Sequence, residues 1–379
     1  MTGLAADQAL AAQRCASCPK MCRASCPTLA VTGNERHQPW GHARVAVAAL
    51  GSATGFADAG VVDSAYACAV CSACTPPCKV EGVETPDLAW AVRAAVHDAG
   101  ATPAIGLQAV AEAGAGRVLV DTGPPRWHDH AATLDRLRGL ATAGADLLLW
   151  PGCGALGRRP GAALAAARSL RRLGIAFQVP ERHRCCGMPA LTFGDASALD
   201  AMLEAAAAAI AASGAGSVAV QSPSCSTLLG VRAPRLGRPM PATVEPLAVV
   251  LARAAAQPQP RSRSRVAAAY HDPCHLARHQ AVLDAPRAAL AASGYMVVEL
   301  PHRGDATRCS GQGGGLPLTH PSIAAGYLGR LVDDVDATTA EVVVTGCASC
   351  AAALSDALPD RAVLELAEAV AGGVEDEVR

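Results

Sequence analysis

The sequence predicts an α+β protein, in which a helical N-terminal domain precedes a duplicated α/β module with short parallel sheets. Eight of the 16 cysteines lie in the first 78 residues, in two matched runs separated by apolar sequence without the turn residues that bound strands. The second half repeats one order of elements, strand, helix, strand, helix, strand, with cysteines at strand ends. The predicted domains are a helical domain at 1–100, a helical connector at 101–145, a first α/β repeat at 146–256, a linker at 257–265 and a second α/β repeat at 266–379.

Composition indicates a globular protein and argues against a nucleic-acid-binding protein and against a secreted or membrane-spanning protein. The chain has 379 residues, of which 51% are hydrophobic and 17% charged, enough apolar material for two or three domains. A formal net charge of -1 lacks the basic excess of a nucleic-acid-binding protein. The N-terminal residues do not resemble a secretory signal, and glycines and a proline interrupt the longest uncharged run, 205–231. We therefore expect no transmembrane segment and a cytoplasmic protein, either free or held on the cytoplasmic membrane face by a partner.

The N-terminal cysteines have the spacing of iron–sulfur ligands. The runs are Cys15, Cys18, Cys22, Cys26 and Cys68, Cys71, Cys74, Cys78. The second run is C-x2-C-x2-C-x3-C, as in bacterial iron–sulfur proteins, and the first has one extra residue in its middle gap. In two-cluster ferredoxins the fourth cysteine of each run holds the other cluster. This suggests two [4Fe–4S] clusters with crossed ligands: Cys15, Cys18, Cys22 and Cys78 for cluster 1, and Cys26, Cys68, Cys71 and Cys74 for cluster 2.

Zinc is the alternative for these cysteines, because zinc sites held by four cysteines also use C-x2-C pairs. Four closely spaced cysteines in each of two runs are unusual for zinc, so the iron–sulfur interpretation is favoured. Lys79 stands where a proline often follows the fourth cysteine, a difference that concerns the loop more than the cluster. The apolar periodicity over 86–96 predicts an amphipathic helix directly after the second run. The region resembles the helical ferredoxin domain of fumarate and succinate reductase iron subunits.

The second half contains an internal duplication. In the first copy we expect strands at 146–150 and 175–179 and helices at 161–173 and 199–212; in the second, strands at 266–270 and 295–300 and helices at 285–293 and 322–332. A third strand in each copy leads to the last cysteines. The four cysteines of copy one are Cys153, Cys185, Cys186 and Cys225, and those of copy two are Cys274, Cys309, Cys347 and Cys350. Open α/β sheets bind ligands at such strand ends.

The order C-x(n)-C-C-G-x(n)-C-x-x-C, in two copies behind a two-cluster domain, resembles the cysteine-rich CCG family. That family includes catalytic subunits of heterodisulfide reductase, the iron–sulfur subunit of glycolate oxidase and the small subunit of anaerobic glycerol-3-phosphate dehydrogenase. The motif His271-Asp-Pro-Cys274-His275 and the glycine-rich run at 311–315 are also similar. The resemblance extends from Cys15 to Cys350.

Each copy departs from the family pattern of five cysteines. Ser222 stands at the first position of the C-x-x-C pair in copy one, and Ser310 at the second position of C-C in copy two. Serine is a harder and less acidic ligand than a thiolate, so each substitution weakens or removes one ligand. Four thiolates still suffice for a cubane-sized cluster. The resemblance therefore implies at least one further iron–sulfur cluster in the CCG module, with copy two the favoured site, and it disfavours disulfide cleavage.

Three features near these cysteines have structural as well as functional interpretations. For His271 and His275 a capping or core role is favoured over iron ligation. Arg184 and Arg308 could offset the negative charge of a cluster or could be ordinary surface residues. The glycines at 311–315 lack the lysine of a P-loop, so close approach of the backbone to a cluster is favoured over phosphate binding.

Without a Rossmann fingerprint or flavin motif, the chain is not expected to oxidise an organic hydride donor itself. The favoured function is an iron–sulfur electron-transfer subunit of a multi-subunit oxidoreductase. It would relay single electrons between a flavoprotein dehydrogenase or electron-transfer flavoprotein and a quinone, membrane cytochrome or soluble carrier. Two alternatives stay open: a heterodisulfide-reductase-like enzyme that reduces a disulfide at a CCG cluster, and a zinc-stabilised scaffold without redox activity. No residue is assigned a catalytic role.

Overall fold

The computed structural model describes residues 3–117, 130–256 and 266–372. The predicted linker at 257–265 lies outside these ranges, as do the last residues of the second repeat, 373–379. The helices that precede the first strand are α1 (Ala6–Ala16), α2 (Pro27–Thr32), α3 (Pro39–Leu50), α4 (Ala59–Tyr66), α5 (Thr85–Asp98), α6 (Ala104–Gly114) and α7 (His130–Arg138).

The remaining helices belong to the two repeats. Those before the predicted linker are α8 (Gly152–Arg158), α9 (Pro160–Arg172), α10 (Met188–Phe193), α11 (Ala196–Ser213), α12 (Pro223–Ser226), α13 (Ala233–Arg235) and α14 (Leu247–Ala255). Those after it are α15 (Cys274–Ala277), α16 (Asp284–Ala292), α17 (Leu316–Thr319), α18 (Pro321–Asp336), α19 (Ala348–Ala357) and α20 (Leu366–Val370).

Within the described residues the strands form two short, wholly parallel sheets. One has the order β1-β2-β3 and the other β5-β4-β6-β7. The strands are β1 (Leu147–Trp150), β2 (Ser217–Val220), β3 (Thr243–Pro246), β4 (Ala267–His271), β5 (Met296–Glu299), β6 (Val342–Thr345) and β7 (Ala362–Glu365). The nearly continuous apolar runs of β1 and β6 are buried throughout, as expected of parallel strands covered by helices. The predicted α+β class with short parallel sheets is confirmed.

One predicted strand of copy one does not form. The segment at 175–179 makes a single parallel bridge between Leu148 and Gln178, with hydrogen bonds from Leu149 N to Gln178 O and from Gln178 N to Leu147 O, both 2.8 Å. Pro180 follows two residues later and has no N–H to continue the ladder. In copy two the corresponding segment forms β5, which pairs with β4 over four residues.

The fourth strand of each copy, β3 and β7, was outside the sequence prediction. Both are four residues long, too short for the sequence pattern to distinguish a strand from part of the helix that follows. Each lies at the edge of its sheet and leads directly into a helix, α14 or α20. Tertiary pairing with the neighbouring strand, rather than local pattern, determines them.

The described residues form two compact units whose limits differ from the predicted domains. The first unit comprises Met1–Ala115, Met188–Asp200 and Arg308–Leu331, and the second comprises Gly116–Gly187, Ala201–Thr307 and Val332–Arg379. The two inserted segments of the first unit were expected within the α/β repeats. They pack on the N-terminal helices instead, as the Tyr66 ring stacks on Phe193 at 5.6 Å and the Tyr327 hydroxyl lies 2.5 Å from Thr28 Oγ1.

The first unit is a helical domain whose central helix, α5, was predicted from its periodicity. Pro86 lies in its first turn, where a missing N–H costs nothing. The predicted apolar face is buried, and it consists of Leu88, Ala91, Val92, Ala95 and Val96.

In the second unit the two repeats share one hydrophobic core. Residues of both sheets belong to it, among them Leu149 of β1, Tyr270 of β4 and Val344 of β6. Polar contacts also join the repeats, because the Ser169 hydroxyl donates to Ala367 O at 2.8 Å and Gln221 Nε2 donates to Glu365 Oε2 at 3.1 Å.

One helix of the described chain, α11, is long and apolar enough to cross a membrane by length and composition alone. Its buried residues recur on one face, and they are Leu199, Met202, Leu203, Ala206 and Ile210. Asp200 and Glu204 are exposed on the remaining surface. This one-sided pattern is that of a helix packed against a protein core.

Candidate metal centres

The four cysteines predicted for cluster 1 lie together in the first unit. Cys15 lies in the last turn of α1. Burial, followed by the charges of Cys18, Cys22 and Cys78, raises the pKa of its thiol to about 12. Burial, with Cys18 and Cys78 nearby, also raises the pKa of Cys22. The backbone N–H of Lys20 donates to Cys18 Sγ at 3.4 Å. We call these cysteines the cluster-1 group.

The four cysteines predicted for cluster 2 form a second group in the same unit. Burial raises the pKa of Cys26 to about 12, and the charges of Cys68 and Cys71 add to this shift. Burial also raises the pKa of Cys74 well above its ordinary value, with Cys71, Cys68 and Cys26 as charged neighbours. The backbone N–H of Val70 donates to Cys68 Sγ at 3.3 Å. We call these cysteines the cluster-2 group.

Residues in the left-handed backbone conformation reverse the chain direction within both groups. Lys20, Val70 and Ser72 have φ values of 61°, 51° and 58°, a conformation that non-glycine residues and especially β-branched ones rarely adopt. They lie between cysteines of the two groups, and the N–H groups of Lys20 and Val70 point at thiol sulfurs. Consecutive N–H groups aimed inward form concave sites for anions such as iron–sulfur clusters.

The cluster-2 group lines a cavity of about 40 Å³ whose surface is largely apolar. Tyr327 also lines it, is buried, and lies with its hydroxyl 2.5 Å from Thr28 Oγ1. Burial and the charges of Cys71, Cys26, Cys68 and Cys309 raise the pKa of Tyr327. Four buried or half-buried thiols around a cavity, with a backbone N–H donating to the sulfur of Cys68, fit the donor set of a [4Fe–4S] cluster.

The four cysteines of copy one also lie together, at the carboxyl ends of β1 and β2 and in the loop before α10. Hydrogen bonds from Cys153 and Cys186 lower the pKa of Cys185. Hydrogen bonding to neighbouring thiols, together with burial, raises the pKa values of Cys153 and Cys186, and Cys225 is one of the neighbours of Cys186. The duplicated scaffold therefore assembles one complete four-thiol group, the copy-one group, within the second unit.

Ser222, which replaces a family cysteine, lies beside this group. Gly152 has a φ of +79°, and a Cβ atom there would lie 2.7 Å from Ser222 Cβ and 3.2 Å from Cys225 Sγ. Only glycine allows this close approach of the β1–α8 turn to the group.

His183 is a member of this site that the sequence analysis missed. Its Nε2 atom lies 3.1 Å from Cys153 Sγ, and its ring meets that of His130 edge-on at 5.5 Å. Burial, with His130 nearby, lowers the pKa of His183 to about 4. Its position two residues before Cys185 is the only sequence signal that pointed to it.

The cysteines of copy two are divided between the units. Cys347 and Cys350 lie at the start of α19. A hydrogen bond from Cys350 lowers the pKa of the Cys347 thiol to about 7. Burial opposes this shift, and backbone N–H groups add to it. Cys274 follows β4, which is adjacent to the β6 strand that leads to Cys347. Cys309 belongs to the first unit, where Gly311 N donates to its sulfur at 3.4 Å. Ser310, beside it, is buried.

The accessory residues have structural partners. His271 Nδ1 lies 2.9 Å from Thr345 Oγ1, and His275 Nδ1 lies 3.0 Å from Thr227 Oγ1. Arg308 donates to the carbonyl of Arg330, whereas Arg184 is exposed.

The glycine run packs on the loop of the cluster-2 group. A Cβ atom on Gly313 would lie 2.9 Å from Ala69 O, and one on Gly314 would lie 2.6 Å from Cys68 O. The run therefore approaches the backbone of the loop that carries Cys68, while its approach to a cluster stays a prediction.

Comparison with protein families identifies two kinds of domain. Residues 11–82 match the 4Fe-4S dicluster domain, and residues 147–230 and 268–355 each match the Cysteine-rich domain. The dicluster match contains all eight N-terminal cysteines, and the two cysteine-rich matches cover both copies of the duplication.

Several curated proteins are similar to this chain. One subunit of the dihydromethanophenazine:CoB–CoM heterodisulfide reductase of Methanosarcina mazei is 33% identical over 220 residues, 56% of this chain and 54% of that protein. One subunit of the fumarate reductase (CoM/CoB) of Methanothermobacter marburgensis is 26% identical over 301 residues, 79% of this chain and 58% of that protein. A probable membrane-anchored ferredoxin of Chromohalobacter salexigens is 39% identical over 112 residues, 28% of this chain and 17% of that protein.

The chain spans about half the length of the heterodisulfide reductase subunits that it matches. Its order of domains, a dicluster domain followed by two cysteine-rich domains, agrees with the grouping of its cysteines. The chain therefore combines a 4Fe-4S dicluster domain with two cysteine-rich domains, and in this order of domains it is similar to iron–sulfur proteins of the cysteine-rich, or CCG, type.

Proposed function

We propose that the chain is an iron–sulfur electron-transfer subunit of a multi-subunit oxidoreductase. Two groups of four thiols within one helical unit carry this proposal, because each has the number of donors that a [4Fe–4S] cluster needs, two of them buried and two half-buried. Such clusters supply one-electron transfer, and the protein contributes burial, charge and hydrogen bonds that set their potentials. The cluster-1 group and cluster-2 group would hold one cluster each.

The thiol spacing supports clusters over zinc. A tetrahedral zinc ion needs four sulfurs at about 2.3 Å from one point. Zinc sites rarely draw four closely spaced cysteines from each of two runs, as the N-terminal sequence does. A cubane cluster distributes its four sulfur ligands over four iron atoms, so these sulfurs can lie further apart than those around one zinc ion.

The copy-one group is the favoured site for a further cluster. It contains four thiols within one unit, whereas the predicted copy-two ligands Cys274, Cys309, Cys347 and Cys350 come from both units. The sequence favoured copy two for its C-x-x-C pair, and we assign at least one cluster to the module.

The relatives support a partner complex, since those similar over the largest part of this chain carry subunit names of reductases. A flavoprotein dehydrogenase or electron-transfer flavoprotein would exchange electrons with this chain, and a quinone-reactive subunit, membrane cytochrome or soluble carrier would complete the route. We propose a cytoplasmic location, with membrane association through such a partner.

Disulfide reduction is the second candidate, because similarity to heterodisulfide reductase subunits covers the larger part of the chain. Ser222 and Ser310 disfavour it, since each replaces a thiolate of the family pattern with a weaker ligand.

Metal and sulfide analysis of the anaerobically purified full chain tests the proposal. We expect about eight iron and eight sulfide ions for two cubane clusters, plus the iron of the CCG module. Cys26→Ala should remove the iron of one cluster, whereas Ser25→Ala, an exposed neighbour, should leave the content unchanged. Colourless protein that contains zinc and no acid-labile sulfide would refute the iron–sulfur function.

A further inference from the structure

Arg93 is a charged side chain buried completely inside the first unit. It belongs to α5 and is 0% exposed. Its guanidinium nitrogens donate four hydrogen bonds of 2.6–3.1 Å, all to backbone carbonyls, and the acceptors are Ala65, Cys68, Thr192 and Gly314.

These contacts satisfy hydrogen bonds but do not neutralise the charge. The Arg93 guanidinium also lies over the Tyr66 ring at 5.0 Å, and no carboxylate within the described ranges forms an ion pair with it. Arg287, in the second unit, shows the usual arrangement, since it pairs with Asp272 and Glu299. A buried cation without an anion is strongly disfavoured in proteins.

The cluster-2 group can carry negative charge and lies beside Arg93. The shortest of the four hydrogen bonds, 2.6 Å, goes from Arg93 Nη2 to the carbonyl of Cys68. Burial raises the pKa of the Cys68 thiol, and Arg93 is the largest influence that opposes this shift. With four thiolates and a bound cluster, this group would be the missing anion.

We infer that Arg93 is the buried counter-charge of cluster 2 and makes it the easier of the two N-terminal clusters to reduce. The inference rests on the proposed electron-transfer function. Reduction adds one electron, and therefore one negative charge, to a site that is already anionic. A fixed cation in a weakly screening interior stabilises the reduced state more than the oxidised state, which raises the reduction potential.

The cations beside the cluster-1 group act differently. Lys20 and Arg23 both pair with Glu35, and their side chains are 33% and 60% exposed. Arg14 is exposed and donates to Glu81 O. Paired or solvated charges shift a nearby potential little, because water and salt screen them. An electron delivered to the unit would therefore leave cluster 1 and settle on cluster 2.

Redox titration of the full chain, followed by electron paramagnetic resonance, tests this order. The reduction step that is missing from the Cys26→Ala variant is assigned to cluster 2. Arg93→Gln keeps amide donors but removes the charge. We expect the equilibrium constant for reduction in that step to fall at least tenfold, which lowers the reduction potential by about 59 mV for one electron. Arg93→Lys keeps the charge and should stay within threefold of the wild type. Arg14→Gln is the control, and it should change the reduction potential of neither N-terminal cluster.

An Arg93→Gln variant with full iron content and an unchanged cluster-2 step would overturn the inference. So would equal shifts of both N-terminal steps. If the glutamine variant loses its iron, Arg93→Lys decides, since a tenfold fall there would assign the effect to hydrogen-bond geometry instead of charge. Absence of two N-terminal clusters from the wild type would instead overturn the proposed function.

Discussion

The Nε2 atom of His183 lies 3.1 Å from the Sγ atom of Cys153, within the copy-one group. An imidazole N–H at this distance can donate to a thiolate. Such donors around a metal site hold the ligands in place and stabilise their charge, and their loss typically costs about 10–100-fold in metal affinity. With its Nε2 atom protonated, His183 would supply a donor to a site where Ser222 stands at the position of a family cysteine.

We expect His183→Ala to bind iron at the copy-one group about tenfold more weakly. The glutamine variant should recover part of the loss, because an amide N–H can also donate. Iron content of the full chain during dialysis against a chelator measures the effect. Arg184→Ala, a change at the exposed next residue, is the control, and equal iron loss in both variants would contradict a specific role for His183.

Gly314 tests whether the glycine run must approach the cluster-2 loop. Its φ is +63°, and a Cβ atom would lie 2.6 Å from both Ala69 C and Cys68 O. Gly304 has a similar φ of +58° but no atom within 4 Å of such a Cβ, so it isolates the backbone cost from the contact. We expect Gly314→Ala to destabilise the protein by about 1–3 kcal/mol more than Gly304→Ala does.

Urea unfolding of the two alanine variants, with iron content measured in parallel, provides the comparison. Gly314→Ala should also weaken iron binding at the cluster-2 group, because the loop that carries Cys68 must move. Identical free energies of unfolding for the two variants would show that the loop carrying Cys68 moves aside without destabilising the protein, and would contradict the prediction.

The positions of the cysteines in sequence indicate most of the candidate sites, because thiolate spacing in a tight loop is a local property. The crossed groups were expected from the two N-terminal runs, and Cys78 is indeed near Cys15. Arg93 could not be found in this way. Its partners Thr192 and Gly314 lie 99 and 221 residues further along the chain, and no local pattern shows that these segments pack on α5. Edge strands such as β7 depend equally on tertiary pairing.

Glu365 predicts a pH dependence of stability. Burial raises the pKa of its carboxyl from 4.5 to about 8, with the charges of Glu368 and Cys347 adding to the shift and the Ala367 N–H and Gln221 opposing it. Because the folded pKa is above the unfolded one, the folded state favours the protonated carboxyl. Stability is therefore highest below about pH 4.5 for this group and falls as pH rises towards 8.

The Glu365→Gln variant should lack this loss, which is on the order of 5 kcal/mol at most. Unfolding free energies of the wild type and the variant between pH 5 and pH 8.5 give the comparison, and the difference should grow with pH. Glu341→Gln, a change at an exposed glutamate directly before β6, is the control. Parallel curves for the wild type and Glu365→Gln would show that the carboxyl titrates normally.

The last prediction separates electron relay from disulfide reduction. Disulfide cleavage needs two electrons in successive steps and a cluster that can bind substrate sulfur, whereas a four-thiolate cluster has no open position. Copy one keeps four thiols together, and Ser222, which would have supplied the fifth ligand, lies against Gly152 beside them. We expect the purified chain to exchange electrons with a reduced viologen dye but to show no sustained turnover with low-molecular-weight disulfides. An iron atom left without its cysteine would be an open position, so Cys186→Ala and Cys309→Ala are assayed beside the wild type. Wild-type turnover that disappears in either variant would make the chain a disulfide reductase and overturn the relay.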